Sequence, residues 1–179
     1  MAAARQSKNP DAITLLKADH RAVEDLFSRF EKARSDGQKR KLAEQICMEL
    51  SIHTMIEEEL FYPECQGEVD DHILNEAYVE HDGAKMLIAE ILAGSTEDRF
   101  YDAKVTVLSE EIKHHVKEEE QRDGLFAQAK KAGLDMQDLG ERLAARKKEL
   151  KQSFAEEGLP MPKVRSMTGA KVSIEHPVA

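Results

Sequence analysis

Residues 53–57, His-Thr-Met-Ile-Glu, place a histidine and a glutamate four positions apart, and residues 115–119, His-Val-Lys-Glu-Glu, repeat that spacing. A further histidine precedes each pair, His20 by 33 residues and His81 by 34. The two halves are offset by 61 or 62 residues at every matching position. Because residues four apart lie on one face of a helix, the repeat predicts two helical hairpins that share one site.

Apolar residues follow the period of an α-helix in four segments of comparable length, and the histidines and glutamates of the repeat fall on the apolar faces. The predicted helices run from about Pro10 to Arg34, from residues 37–41 to Tyr62, from residues 69–71 to Ala93, and from Thr96 to Gly133. Short connections between such helices favour antiparallel neighbours. The sequence therefore predicts an all-α protein built on an up-down-up-down four-helix bundle.

A fifth amphipathic segment follows the bundle. Its apolar positions are Met136, Leu139, Leu143, Leu150 and Phe154. We expect this additional C-terminal helix to pack on the bundle or on another subunit, as a route to a homo-oligomer. The predicted organisation is an N-terminal tail at 1–9, the bundle at 10–133, the additional helix at 134–158 and an extended, flexible tail at 159–179.

The composition narrows the classes of function. With 34% charged residues, 5% aromatics and no Trp, the 179-residue chain is typical of a helical domain. A net charge of −9 opposes binding to nucleic acid. No apolar stretch approaches the roughly 20 residues of a membrane span, and no signal peptide is evident, so a cytoplasmic protein without a membrane partner is expected. Cys47 and Cys65 are interpreted as reduced structural thiols.

Two glutamates on apolar helix faces pose an electrostatic problem, because a buried carboxylate without a partner is very costly. A bound cation removes that cost, since it offsets the charge of Glu57 and Glu119 and accepts the lone pairs of neutral histidines. The predicted metal ligands are His20, His53, Glu57, His81, His115 and Glu119. Imidazole and carboxylate suit iron, manganese and zinc, so ligand type alone leaves the metal open.

These residues resemble the hemerythrin-like family, also called HHE cation-binding domains, over roughly Ala12 to Ala132. The resemblance rests on His20 in Leu-Leu-Lys-Ala-Asp-His, on His53 and Glu57 in His-Thr-Met-Ile-Glu-Glu-Glu-Leu-Phe-Tyr-Pro, on His81 after Glu80, and on His115 and Glu119 in His-His-Val-Lys-Glu-Glu-Glu. It implies a non-haem di-iron pair with an oxo or hydroxo bridge. Glu57 and Glu119 would be bridging carboxylates, and the four histidines terminal ligands.

The chain departs from the oxygen carriers that it resembles. Those proteins have a further histidine where this chain has Ala77, and an aspartate at five residues where this chain has Glu119 at four. Two six-coordinate ions need about twelve bonds, of which the protein and a bridging oxygen supply about ten. About two positions would remain open to solvent or a ligand. Tyr78 could fill the gap beside Ala77, although a core tyrosine is the favoured interpretation.

Other polar residues near the repeat are interpreted as peripheral. His72 is expected at the surface, and His114 should point about 100° away from His115. The acidic residues beside the ligands are expected to be mostly solvated, with the alternative that Glu58 or Glu120 orients a histidine.

Three functions stay open at this point. The leading hypothesis is a di-iron protein that binds or senses oxygen, nitric oxide or peroxide, or that buffers iron. The second is a di-iron enzyme that decomposes peroxide, oxidises ferrous iron or reduces nitric oxide. The third is an interaction module that the metal only stabilises. A purely structural bundle without metal is the remaining, less favoured interpretation.

Overall fold

The computed structural model describes residues 9–172, and within that range the chain forms helices and connecting segments only. The helices are α1 (Ala12–Lys32), α2 (Asp36–Ile56), α3 (Tyr62–Cys65), α4 (Asp71–Ala93), α5 (Tyr101–Glu120), α6 (Leu125–Ala132) and α7 (Met136–Glu157). A π-helical turn, Glu57–Phe61, joins α2 to α3. The prediction of an all-α protein is confirmed. Most of the predicted N-terminal tail and residues 173–179 lie outside the described residues.

The four long helices α1, α2, α4 and α5 form the predicted up-down-up-down bundle. Helix α1 packs on α2 and α5, and α4 packs on the same two helices. Acidic residues cap α1 and α4, the first helix of each hairpin. Asp11 accepts a hydrogen bond from Thr14 N at 2.8 Å, and Asp70 accepts one from His72 N at 2.8 Å. Among residues 9–172, no helix is long and apolar enough to cross a membrane.

Two apolar clusters fill the bundle, and a polar layer separates them. One cluster contains Val23 of α1, and the other contains Leu16 of the same helix. His20 lies between these two residues in the chain and is also buried. Helices α2 and α4 likewise pass from one cluster to the other near His53 and His81, and His115 lies near the end of α5, after which the second cluster resumes at Leu125 of α6. The repeat therefore places its polar side chains at one level of the bundle.

The second helix continues to Cys65, although the sequence predicts that it ends at about Tyr62 before Pro63. The continuation is possible because Pro63 lies in the first turn of α3, where no backbone N–H donor is needed. In the preceding π-helical turn the Tyr62 N–H donates to the Glu57 carbonyl, five residues back. That wider turn buries two consecutive carboxylates, Glu57 and Glu58.

The prediction of one helix from Thr96 to Gly133 is wrong. Helix α5 begins at Tyr101 and ends at Glu120, and α6 follows after a tight reversal. A Cβ atom on Gly124 would lie 2.3 Å from the Glu118 carbonyl oxygen, so only glycine fits this reversal. The reversal brings Phe126 of α6 onto the His20 ring, with ring centroids 5.8 Å apart.

Helix α7 matches the predicted C-terminal helix and packs against α1, α2 and the π-helical turn. Its predicted apolar residues Leu139, Leu143, Leu150 and Phe154 are buried within this chain. A homo-oligomer formed through α7 stays a prediction. Residues 159–172 contain no helix or strand, with a bend at residues 165–166. The flexibility of that tail and the division into domains also stay predictions.

We expect Gly124→Ala to lower the free energy of unfolding by about 1–3 kcal/mol, because the new Cβ would collide with backbone carbonyls that cannot move aside. Urea unfolding followed by circular dichroism measures the change. Gly37→Ala is the matched control, since nothing lies within 4 Å of a Cβ at Gly37 in the first turn of α2. Equal stability of the two variants would contradict the steric argument.

Candidate metal centre

The structure brings all six predicted ligands into the polar layer between the apolar clusters. Their exposed fractions are 3% for His20, 4% for His53, 0% for Glu57, 1% for His81, 3% for His115 and 1% for Glu119. Each is therefore closed to bulk water. That these six side chains bind metal stays a prediction, which the geometry of the layer can test.

Four of the side chains form a first group around one point. The Nε2 atoms of His20 and His53 lie 3.1 Å apart. Glu57 Oε2 lies 3.1 Å from His53 Nε2, and Glu119 Oε2 lies 3.4 Å from His20 Nε2. These four residues each offer one donor atom, and the donor atoms all lie within 4.8 Å of one another. They could hold one metal ion.

A second group lies beside the first and shares Glu57 with it. The Nε2 atoms of His81 and His115 lie 3.2 Å apart, and Glu57 Oε2 lies 3.4 Å from His81 Nε2. Glu119 Oε2 lies 3.6 Å from His115 Nε2. Each glutamate therefore contacts one histidine from each half of the repeat. That is the position expected of a carboxylate that bridges two ions.

Each histidine points its second ring nitrogen, Nδ1, away from the centre toward another carboxylate. Three of these contacts have hydrogen-bond length: Glu120 to His20 at 2.7 Å, Glu58 to His81 at 3.1 Å and Glu80 to His115 at 2.8 Å. Asp19 lies 3.8 Å from His53 Nδ1, which is an ion-pair distance beyond hydrogen-bond length. A carboxylate that accepts a hydrogen bond from a ligating histidine orients the ring and makes its other nitrogen a stronger metal ligand. The centre thus has an inner shell of ligands and an outer shell of carboxylates.

The outer carboxylates determine which ring nitrogen of a neutral histidine carries the proton, and so where its lone pair points. An ionised carboxylate only accepts hydrogen bonds, so a neutral imidazole in such a contact keeps its proton on Nδ1. The Nε2 lone pairs then face one another and the glutamates, which is repulsive without a cation between them. Glu57 Oε1 and Glu119 Oε2 are buried without a hydrogen-bond partner among the described residues. A metal ion would satisfy these atoms.

The distances also fit a metal. Two ligands that each lie about 2.1 Å from a common ion at a near-right angle are about 3.0 Å apart. The Nε2 separations of 3.1 Å and 3.2 Å match that value. The residues present therefore fit the cation that the sequence predicts.

Charge in the layer shifts the pKa of several groups. Burial alone would lower the pKa of His53. The negative charge of Glu57 and the contact with Asp19 outweigh burial and raise this pKa above its ordinary value, to about 10. Burial likewise lowers the pKa of His115, and the charge of Glu119 outweighs it and raises the pKa. Burial raises the pKa of Glu57, but the neighbouring His53 lowers it well below the usual range. Without metal, protons on His53 and His115 offset part of the carboxylate charge.

Tyr62 also reaches this centre, and sequence reasoning missed it. Its hydroxyl lies 3.1 Å from His81 Nε2, donates to Glu119 Oε1 at 3.1 Å, and lies 3.5 Å from Glu57 Oε2. Burial and the charge of Glu119 raise the pKa of this hydroxyl well above its usual value, which keeps it protonated. The predicted break at Pro63 hid Tyr62, because it placed this residue at the end of a helix.

The sequence left Tyr78 as a candidate to fill the gap beside Ala77. The structure instead packs the Tyr78 ring edge-on against Tyr62 at 5.1 Å. Tyr62 stacks in turn on His81, with ring centroids 5.2 Å apart. Ala77 lies buried in the apolar cluster on that side. The hydroxyl next to the second group therefore belongs to Tyr62.

The outer carboxylates were only partly predicted. The sequence offered Glu58 and Glu120 as alternatives that orient a histidine, and the structure supports that alternative. It missed Asp19 and Glu80, although an acidic residue directly precedes the first histidine of both halves. That repeated acid-histidine pair was the available signal.

The two remaining histidines of the described chain lie at the surface, as expected. The His114 side chain is 63% exposed and pairs with Glu80 at 3.4 Å. The His72 side chain is 79% exposed and pairs with Glu76 at 3.2 Å. Neither joins the buried layer.

A small enclosed cavity of about 10 Å³ adjoins the four buried histidines. Aliphatic side chains such as Val23, Leu50 and Ile112 complete its wall. A space of this size has room for about one water-sized molecule. The layer therefore has no room for an organic substrate at this point.

Metal-binding helical bundles build their sites from inward-facing side chains on neighbouring helices. The closed layer of imidazoles and carboxylates in this bundle is a site of that class. The family model described as the Hemerythrin HHE cation binding domain matches residues 11–129. This chain belongs to that family, which confirms the resemblance seen in the sequence.

A solved structure supports the same fold. The chain is similar to a hemerythrin HHE cation binding domain-containing protein from Mycobacterium kansasii, with a TM-score of 0.69 and 21% sequence identity. The similarity covers 84% of this chain and 95% of that chain. No curated protein sequence matches the chain significantly. At this identity the comparison shows the shared fold, and the chemistry has to be argued from the residues.

Metal binding should release protons from this centre. His53, with a pKa of about 10, is protonated at neutral pH in the metal-free protein, whereas a metal ion binds neutral imidazole. The apparent affinity for a divalent ion should therefore rise with pH up to about 10. Calorimetric titration at one pH in two buffers of different ionisation enthalpy measures the protons released. Equal heats in both buffers would contradict this prediction.

Proposed function

We propose that this protein holds a non-haem di-iron pair between its two helical hairpins. The observation behind the proposal is that six buried donors form two adjacent groups that share Glu57. His20 and His53 would bind one ion, His81 and His115 the other, and both glutamates would bridge. Iron is favoured over manganese or zinc by the family resemblance, since imidazole and carboxylate donors suit all three metals. When bound, iron supplies redox chemistry and exchangeable coordination positions.

The function that fits best is binding or sensing of a small ligand such as oxygen, nitric oxide or peroxide, or buffering of iron. One observation favours a small ligand: the enclosed cavity of about 10 Å³ beside the four histidines has room for about one water-sized molecule. A cytoplasmic location is part of this proposal. Both cysteines are free and buried, which suits a reducing compartment.

Iron content is the first test. Protein produced with adequate iron should contain about two irons per chain and show the absorption of an oxo-bridged pair. Glu57→Ala and Glu119→Ala should each lose most of the metal, because each glutamate contacts histidines of both groups. Elemental analysis and optical spectroscopy measure both properties.

Glu118→Ala is the matched control for that experiment. Glu118 directly precedes Glu119 on α5 but is only partly buried and lies outside both groups. The control should keep wild-type iron. An iron content far below two in the wild type, or equal losses in all three variants, would refute the di-iron proposal.

An enzyme that acts on peroxide is a second candidate, and Tyr62 is the observation that favours it. Its hydroxyl keeps its proton and lies beside His81 and Glu119 inside the buried layer. A protonated hydroxyl there could donate a hydrogen bond or a proton to a reduced oxygen species. General acids of this kind contribute about 10²–10⁴-fold to a rate. The interaction-module alternative gains no such support, because the apolar residues of α7 are buried within the chain.

Steady-state assays with peroxide separate the two candidates. For an enzyme, Tyr62→Phe should lower turnover by about 100-fold while keeping iron, since the ring still stacks on His81. Tyr78→Phe is the control, because it removes a hydroxyl from the neighbouring ring outside the centre. A stoichiometric spectral change without turnover in the wild type would instead favour binding or sensing.

A further inference from the structure

A short extended segment after α7, residues 159–166, docks beside the metal centre, and we refer to it as the C-terminal strap. Its attachment point is Asp82, which directly follows His81 and is 0% exposed. Asp82 Oδ2 accepts hydrogen bonds from the backbone N of Arg165 at 2.8 Å and of Ser166 at 2.6 Å. The Ser166 hydroxyl donates to the same oxygen at 2.7 Å. One buried carboxylate therefore binds the strap through three donors.

This docking delivers a guanidinium group to the outer shell of the centre. Arg165 Nε lies 2.7 Å from Glu58 Oε2. The other oxygen of Glu58 accepts from Lys85 Nζ at 2.6 Å and lies 3.1 Å from His81 Nδ1. Glu58 is thus held between two cations and a ligand histidine. Its orientation, and with it that of the His81 ring, depends on both cations.

The outer carboxylates of His20 and His81 are held by guanidinium groups from different parts of the chain. In the first half Arg21 follows His20 and donates to Glu120 Oε1 at 2.6 Å, and Glu120 is the outer carboxylate of His20. In the second half Asp82 takes the position of Arg21, so the helix itself offers no guanidinium there. Asp82 instead binds the strap, and Arg165 of the strap supplies the missing group.

Beyond Leu159, the strap is held mainly by these polar contacts. Met161 is 76% exposed and Val164 is 41% exposed, so neither fixes the strap in a core. A cavity of about 320 Å³ borders the strap on the side of Thr54 and Met55 of α2. Leu159 packs against both apolar clusters at the start of the strap, but beyond it there is little apolar packing, so residues 160–166 can dock and undock without unfolding the bundle.

We propose that Arg165 is a positioning residue of the metal centre, which acts on His81 through Glu58 only while the C-terminal strap is docked on Asp82. The consequence for metal rests on the proposed function: undocking should weaken the ion held by His81 and His115 and spare the ion held by His20 and His53. The strap would then set the occupancy of one of two otherwise similar positions.

The first measurement uses the full-length metal-free protein with ¹⁵N-labelled histidine. In the wild type, the Nδ1 proton of His81 should be protected from exchange by Glu58 and give a distinct imidazole signal in NMR spectra. Arg165→Ala should broaden or remove that signal, because Glu58 loses its second cation. The signal of His20, which Glu120 and Arg21 hold, should not change.

The second measurement is an anaerobic titration of the same proteins with ferrous iron. Arg165→Ala should weaken the second equivalent by about tenfold, the lower end of the effect of outer-shell changes, and leave the first equivalent unchanged. Ser166→Pro should have the same effect, since it removes two of the three donors to Asp82 and restricts the backbone of Arg165, while the Arg165 guanidinium stays in the chain. Arg165→Lys should restore part of the affinity, because it keeps a cation near Glu58.

Arg146→Ala is the matched control. Arg146 of α7 donates to Glu59 at 2.7 Å, and Glu59 neighbours Glu58 in the chain but is the outer partner of none of the four histidines. This control should leave both measurements at the wild-type value. If Arg165→Ala matches Arg146→Ala in the imidazole signal or in the second equivalent of iron, the proposal is overturned. If the wild type binds no iron, the di-iron proposal fails, and the imidazole signal alone decides the role of Arg165.

Discussion

Two carboxylates and four imidazoles face one another in a layer that water does not reach, and this electrostatic constraint organises the rest of the molecule. Glu57 and Glu119 are essentially unexposed, so their charge has to be offset from within. Either protons on histidines or metal ions can offset it, and the negative charge of Glu57 raises the pKa of His53 to about 10 because the layer favours positive charge. Apolar clusters above and below the layer keep it closed.

The same constraint explains how much could be predicted from the sequence. A carboxylate on an apolar helix face is so unfavourable that it signals a ligand wherever it recurs in register with histidines. For that reason Glu57 and Glu119, with the histidines one turn before them, could be placed in one layer from the spacing of residues alone. The period of the apolar residues likewise predicted the bundle and α7, because amphipathic helices of similar length have few ways to bury their apolar faces.

Local backbone geometry and long-range contacts limited the prediction elsewhere. Pro63 normally ends a helix, and only the π-helical turn before it lets the helix continue and aims Tyr62 at the centre. Gly124 could not be identified as a break from its type alone, because the break depends on two carbonyls that approach it. The strap has no apolar period, and its position depends on Asp82, a residue 83 positions from Arg165 in the chain.

The equal sets of ligands in the two halves conceal unequal surroundings. Phe126 lies against His20 in the first half, whereas Tyr62 lies against His81 in the second and adds a hydroxyl. Arg21 holds the outer carboxylate of His20 from the helix, whereas the strap holds that of His81. Both differences change the surroundings of His81, in the second group. If iron occupies both positions, the surroundings of the ion held by His20 and His53 are fixed by the bundle. Exchange of ligands or of metal would then occur mainly at the position formed by His81 and His115.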